Sequence, residues 1–249
     1  MKKKNILEER IVYKPFEYQQ AADYWLQQHQ AHWLHTEVPM MSDLADWNSN
    51  LSETEKNIIG SILKGFAQTE TVVNDKSLAI FSAFTEGVNL FSSFAVLLSF
   101  KMRNKLKGIG QIVEWSIRDE SLHSEAGCWL FRTLLDENPE LKTPELEAAI
   151  NEAALLSLKL EINFIRKCYE LGDLEGCSQY DLENFIKNRV NTKLGDLGYK
   201  GIITDIDPTA VERMKWFDHL SGGKQHTDFF AARVTNYSKG NMTWDESIF

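Results

Sequence analysis

Apolar positions recur with a helical period along most of the chain, and strand signals are nearly absent. Ile58, Ile59, Ile62, Leu63, Phe66 and Val73 fall on one stripe. Ser52 and Glu55 fit a capping box at its start. Residues 78–100 are almost wholly apolar, with the single charge of Glu86, and predict one buried helix. A third helix is predicted over residues 109–135. Its stripe runs through Ile109, Ile112, Val113 and Ser116, then Glu120 and His123, then Gly127, Leu130 and Leu134. Thr143 and Pro144 read as N-cap and first residue of a fourth helix, ending near Gly172. A fifth covers residues 180–194 and stops at Gly195 and Gly198. Beyond it the chain turns irregular. Residues 236–249 are polar with isolated aromatics and read as a flexible tail. The expectation is an all-α helical bundle over residues 1–235, followed by a tail over residues 236–249.

Composition narrows the function classes. A chain of 249 residues, 43% of them apolar, is enough for one sizeable helical domain. The formal net charge of −9 argues against binding to a nucleic-acid backbone, which needs a basic face. The stretch 78–100 is long enough to span a membrane. Glu86, Asn89 and the hydroxyl side chains around them are poor lipid-facing groups, so it reads as a core helix and no membrane is expected. The N-terminus has no apolar run like a signal peptide, which predicts a cytoplasmic protein. Cys128, Cys168 and Cys177 are far apart, with no C-x-x-C, and read as buried thiols.

Three glutamates stand where apolar residues belong. Glu70 follows Phe66 by four and Leu63 by seven, Glu86 is alone in its apolar segment, and Glu120 and His123 share the buried face of the third helix. A buried, unpaired carboxylate costs several kcal/mol, so each needs a cation or a proton. Arginines are scarce in these helices, and Arg118 points about 160° away from Glu120 by helical geometry. A shared metal would serve several carboxylates at once. The four-helix di-metal pattern takes one Glu from each of two helices and Glu-x-x-His from each of the other two. Glu70, Glu86, Glu120 and His123 supply four of those six ligands.

The surroundings of these residues resemble a known family. LSETEKNIIGSILKGFAQTE, FTEGVNLFSSFAVLLSF and GIGQIVEWSIRDESLHSEAG occur in the order found in the small subunit of class I ribonucleotide reductase. FFAARVTNYSKG followed by TWDESIF is similar to the C-terminal tail that docks on that enzyme's large subunit. The resemblance implies a ferritin-like fold, normally a homodimer, with a di-iron or di-manganese site ligated by Glu70, Glu86, Glu120 and His123. It implies that the site activates dioxygen and generates a radical, which the large subunit uses to reduce ribonucleotides to deoxyribonucleotides. It also places Trp33, Asp119 and Tyr237 in the radical relay between subunits.

One part of the family pattern has no counterpart. The family carries a second Glu-x-x-His, and in most members a radical tyrosine, on a helix between the positions matching Glu70 and Glu86. Here that interval contains neither His nor Tyr. On one continuous helix Glu70 and Glu86 would be about 24 Å apart. With a turn at Asn74 and Asp75, their offset would still be on the order of 10 Å, too far for one ion. Glu86, Glu120 and His123 can still converge on a single ion. Two explanations stay open: a segment lost through an interrupted gene or skipped exon, and a chain that has lost its cofactor site. The second predicts a non-catalytic partner that binds the large subunit through the tail. A general ferritin-like storage protein or oxidase has no reason to carry that tail. The run His29-x-x-His32-x-x-His35 reads as ordinary packing around Trp33.

Overall fold

The computed structural model describes residues 5–8, 16–69 and 78–221, the side chains of His35 and of residues 65–69 excepted. These residues form helices and turns, with one isolated bridge between Leu174 and Cys177 and no strand among them. The N-terminal part carries α1 (Gln19–Gln30), α2 (Met41–Ser49) and α3 (Glu53–Thr69). The central part carries α4 (Leu78–Ile80), α5 (Phe91–Met102) and the long α6 (Lys107–Glu137). Then follow α7 (Pro144–Cys168), α8 (Gln179–Asp196), α9 (Pro208–Arg213) and α10 (Trp216–Leu220). No helix among the described residues is long and apolar enough to cross a membrane.

Local chemistry sets the starts of α3, α7, α8 and α9. The backbone amide of Glu55 donates to Ser52 Oγ at 3.2 Å, and that of Ser52 donates to Glu55 Oε2 at 2.8 Å. This is the reciprocal capping box read from the sequence. The Thr143 side chain accepts from the Leu146 amide, with Pro144 following at the first helical position. Ser178 and Asp207 cap α8 and α9 in the same way. The start of α6 is held from outside. Asp43 of α2 is buried and accepts from the amides of Gly108 (2.9 Å) and Ile109 (2.6 Å). Asp46 accepts from Leu106 at 2.9 Å. Leu106 is in the left-handed region (φ 48°), which costs an L-residue roughly 1–2 kcal/mol. The two aspartates hold that turn and offset the strain.

The core lies around α5, whose ten residues from Phe91 to Phe100 are all buried. Full burial of a phenylalanine or leucine contributes roughly 1.5–3 kcal/mol, so this one segment anchors the bundle. Ile58, Ile59 and Ile62 of α3 join it, but Leu63, assigned to the same stripe, is 47% exposed. At about 100° per residue it sits past the edge of the buried face. The three cysteines are free and buried, as the sequence implied. Residues 78–100 do not form the one helix their apolarity predicts. After α4 the chain runs through a π-helical turn at Phe81–Thr85 and turns at residues 86–90 before α5 begins. The amides of Glu86 and Asn89 each reach five residues back, to Phe81 and Phe84, at 3.0 Å. The region after residue 198, read as irregular, contains α9 and α10. Their cue, Asp207 before Pro208, is an N-cap and first-position proline.

Candidate metal centre

The long helix α6 presents Asp119, Glu120 and His123 within one turn, and positions three apart share a face. Glu86 arrives from the π turn. A π turn accommodates an extra residue and shifts the helical phase, which re-aims the side chains after it. Close packing seats this turn on α6. A Cβ at Gly127 would collide with the Ser82 side chain. One at Gly87 would collide with the Ala83 carbonyl, Ser124 Oγ and the Lys193 stem. Neither glycine needs an unusual backbone angle; both are small because two elements touch there.

Glu86, Glu120 and His123 each offer a ligand atom within 4.8 Å of the others. His123 Nδ1 lies 3.8 Å from Glu86 Oε1 and 3.6 Å from Glu120 Oε2. Among the described residues, the ion-pair partner of both carboxylates is His123. Burial pushes the Glu86 carboxyl up to about 7, opposed by His123 and reinforced by Glu120. His123 is raised by its hydrogen bond to Glu120, against burial. Two carboxylates and one imidazole thus meet in one partly buried place. Donors about 2.1 Å from one ion lie at most about 4.2 Å apart. A small contraction of the three side chains therefore suits a single transition-metal ion. Carboxylate with imidazole is a donor set for iron or manganese.

Asp119 connects this cluster to the N-terminal part of the chain. Its Oδ2 accepts from Trp33 Nε1 at 2.9 Å, and Trp33 stacks at 5.4 Å from Trp115. Its Oδ1 is buried and has no hydrogen-bond partner among the described residues. Burial raises the Asp119 carboxyl, with the Trp33 bond pulling the other way. The structure therefore brings together Trp33, Asp119, Glu86, Glu120 and His123. Glu70 and Tyr237 lie outside the described residues. His29 meets the Trp25 ring edge to face and joins no ligand cluster among the described residues.

Glu161 and Arg189 are inward charged groups that the sequence pattern did not single out. Glu161 of α7 is only 4% exposed, and the Ser92 hydroxyl bonds to its carboxyl. Burial pushes that carboxyl up to about 8. Its signal is the stripe Ile150, Ala154, Ser157, Glu161, Ile165, with Glu161 at an apolar position. Arg189 sits likewise on the inner face of α8, between Phe185, Ile186 and Val190.

The chain is similar to known proteins over most of its length. The family model "Ribonucleotide reductase, small chain" matches residues 10–82 and 75–208, two stretches that overlap in the segment where the sequence departs from the pattern. A probable ribonucleoside-diphosphate reductase small subunit of Invertebrate iridescent virus 3 is 26% identical, covering 96% of this chain and 87% of that protein. Its alignment runs over 332 positions, more than the 249 residues present here, so the viral protein has residues without a counterpart. The ribonucleoside-diphosphate reductase subunit beta of Chlamydia pneumoniae is 29% identical over 68% of this chain and 47% of its own length. Among solved structures, the dimanganese(II)-NrdF of Streptococcus sanguinis superposes with a TM-score of 0.67 at 18% identity, over 83% of this chain and 99% of that one. The R2 subunit of ribonucleotide reductase from Clostridium botulinum gives 0.65 at 16%, over 82% and 88%. At such identities these two show the fold, a ferritin-like helical bundle. With the family model covering most of its length, the chain belongs to the ribonucleotide reductase small-chain family.

Proposed function

We propose that this chain serves a ribonucleotide reductase as the small subunit, with Glu86, Glu120 and His123 holding a redox-active iron or manganese ion. The observation that carries this reading is the convergence of those three donors beside the Trp33–Asp119 hydrogen bond. When bound, such a metal would supply the redox chemistry by which dioxygen, as the oxidant, takes an electron from a protein side chain and leaves a radical. The protein's own contributions are orientation and charge. Glu120 and His123 are fixed by the helix they share, and Glu86 is delivered from α4 by the π turn. Asp119 holds the Trp33 indole by its N–H and supplies the negative charge that would accept that proton during oxidation. Trp33 then forms the first step of a relay, and Tyr237 in the tail the last. Residues 1–235 act as the helical domain, and residues 236–249 dock on the large subunit. The subunit works as a homodimer in the cytoplasm.

The described donors form one metal position. Glu70 is the fourth ligand of the proposal and, with a second ion, would complete a di-metal site. This supports a second reading, a partner that binds the large subunit without generating a radical. Metal analysis of the purified protein, with radical detection by electron paramagnetic resonance, separates the two. The catalytic reading expects bound iron or manganese, a radical signal and ribonucleotide reduction when the large subunit is added. About one ion per chain with neither signal nor turnover would establish the non-catalytic reading. Metal binding that survives in Glu120→Gln would remove the site from both.

A further inference from the structure

Arg189 of α8 is a partly buried cation that the site described above does not use. Burial lowers its guanidinium to about 9, offset in part by Asp218 and Asp196. Its Nε donates to the carbonyl of Gly87, the residue after Glu86. Its guanidinium carbon lies 3.2 Å from the centre of the Phe91 ring, at the start of α5. It therefore grips both ends of the turn at residues 86–90, the break between the π segment and α5. Arginine stacks on aromatic rings and donates from a rigid fork, and lysine does neither in the same geometry.

The carbonyls near a π turn and a helix start are those that lack regular intrahelical partners. Burying a polar carbonyl without a donor costs on the order of 1–3 kcal/mol. Gly87 itself leaves no room between the turn, Ser124 of α6 and the Lys193 stem of α8. We infer that Arg189 is a positioning residue for the metal centre. It clamps the turn at residues 86–90 from α8 so that Glu86 stays within reach of Glu120 and His123. The inference rests on the proposed metal site for its consequence, but the clamp can be tested without metal.

The experiment uses the full chain with Arg189→Met and Arg189→Lys, each checked for unchanged helix content. Amide hydrogen exchange is followed in metal-free protein, and Mn2+ binding is measured by titration calorimetry. The expected result is exchange at residues 86–90 faster by about tenfold or more in Arg189→Met, while residues 113–123 keep wild-type protection. Mn2+ affinity should fall by about tenfold, the scale of a lost supporting contact around a metal ligand, with partial recovery in Arg189→Lys. Unchanged exchange at residues 86–90 in a folded variant overturns the clamp, whatever the metal does. If the wild type binds no Mn2+ but the turn loosens as expected, the clamp stands and the metal site falls. Should Arg189→Met not fold, Arg189→Lys decides the matter: wild-type exchange and affinity in it overturn the inference.

Discussion

At the scale of single residues, buried charge separates the chemistry from the packing. Glu86 and Glu161 are both raised by burial, but they differ in company. Glu86 faces another carboxylate and an imidazole, whereas Glu161 faces the Ser92 hydroxyl. The first arrangement calls for a cation and the second for a proton. In the folded chain the Glu161 carboxyl titrates at about 8, against an ordinary value of 4.5. The folded state keeps a proton that the unfolded chain releases in between. Its stabilisation is complete below about pH 4.5 and is lost as pH rises through about 8. Glu161→Gln keeps the shape and removes the titration. Urea denaturation should find this variant close to wild type near pH 5 and more stable by on the order of 3 kcal/mol near pH 9. An equal difference at both pH values would sink the assignment. Glu120 and His123 were legible because their spacing is itself a motif. Glu161 and Arg189 were not, since one inward charge on an apolar stripe has no partner along the chain to mark it.

At the scale of elements, α6 and the π turn make the site between them. The extent of α6 was readable from its stripe, and the α3 and α7 starts from Ser52, Glu55, Thr143 and Pro144, because caps bond within four residues. The break in residues 78–100 was not. Apart from Glu86, Gly87, Asn89 and a few hydroxyl residues the segment is as apolar as an unbroken helix, and the turn packs against α6 and α8. Gly127 is where that contact is tightest. In an open helix, Gly→Ala would stabilise by roughly 0.5–1 kcal/mol. Here Gly127→Ala should destabilise by about 1–3 kcal/mol, because the new methyl meets Ser82. It should also weaken Mn2+ binding by pushing Glu86 away from His123. Thermal melts and metal titration of the same preparation check both effects. A raised melting temperature would show that the π turn is not pressed against α6.

At the scale of the whole molecule, the proposed docking tail and the helical domain have separable roles. Removing Tyr237–Phe249 should leave melting temperature and metal content unchanged while lowering affinity for the large subunit by about a hundredfold or more. That is the scale on which a short segment that orders on binding carries an interface. Surface plasmon resonance with immobilised large subunit measures this. Full affinity after truncation would move the docking surface onto the helical domain. The outward residues Met41, Leu44 and Trp47 of α2 would then be the first place to look, since its aspartates face inward to α6.

The helical class, the starts of α3, α6, α7 and α8, the family motifs and the pairing of Glu120 with His123 were all legible along the chain. These depend on period, caps and spacing, which act over a few residues. The convergence of Glu86 on that pair was expected, but the π turn that brings it there depends on tertiary packing. That packing also decided that Trp33, 86 positions away, bonds to Asp119, and that Arg189 closes on Gly87 from α8. Those contacts join distant parts of the chain, and their energies come from burial that exists only after the helices have packed.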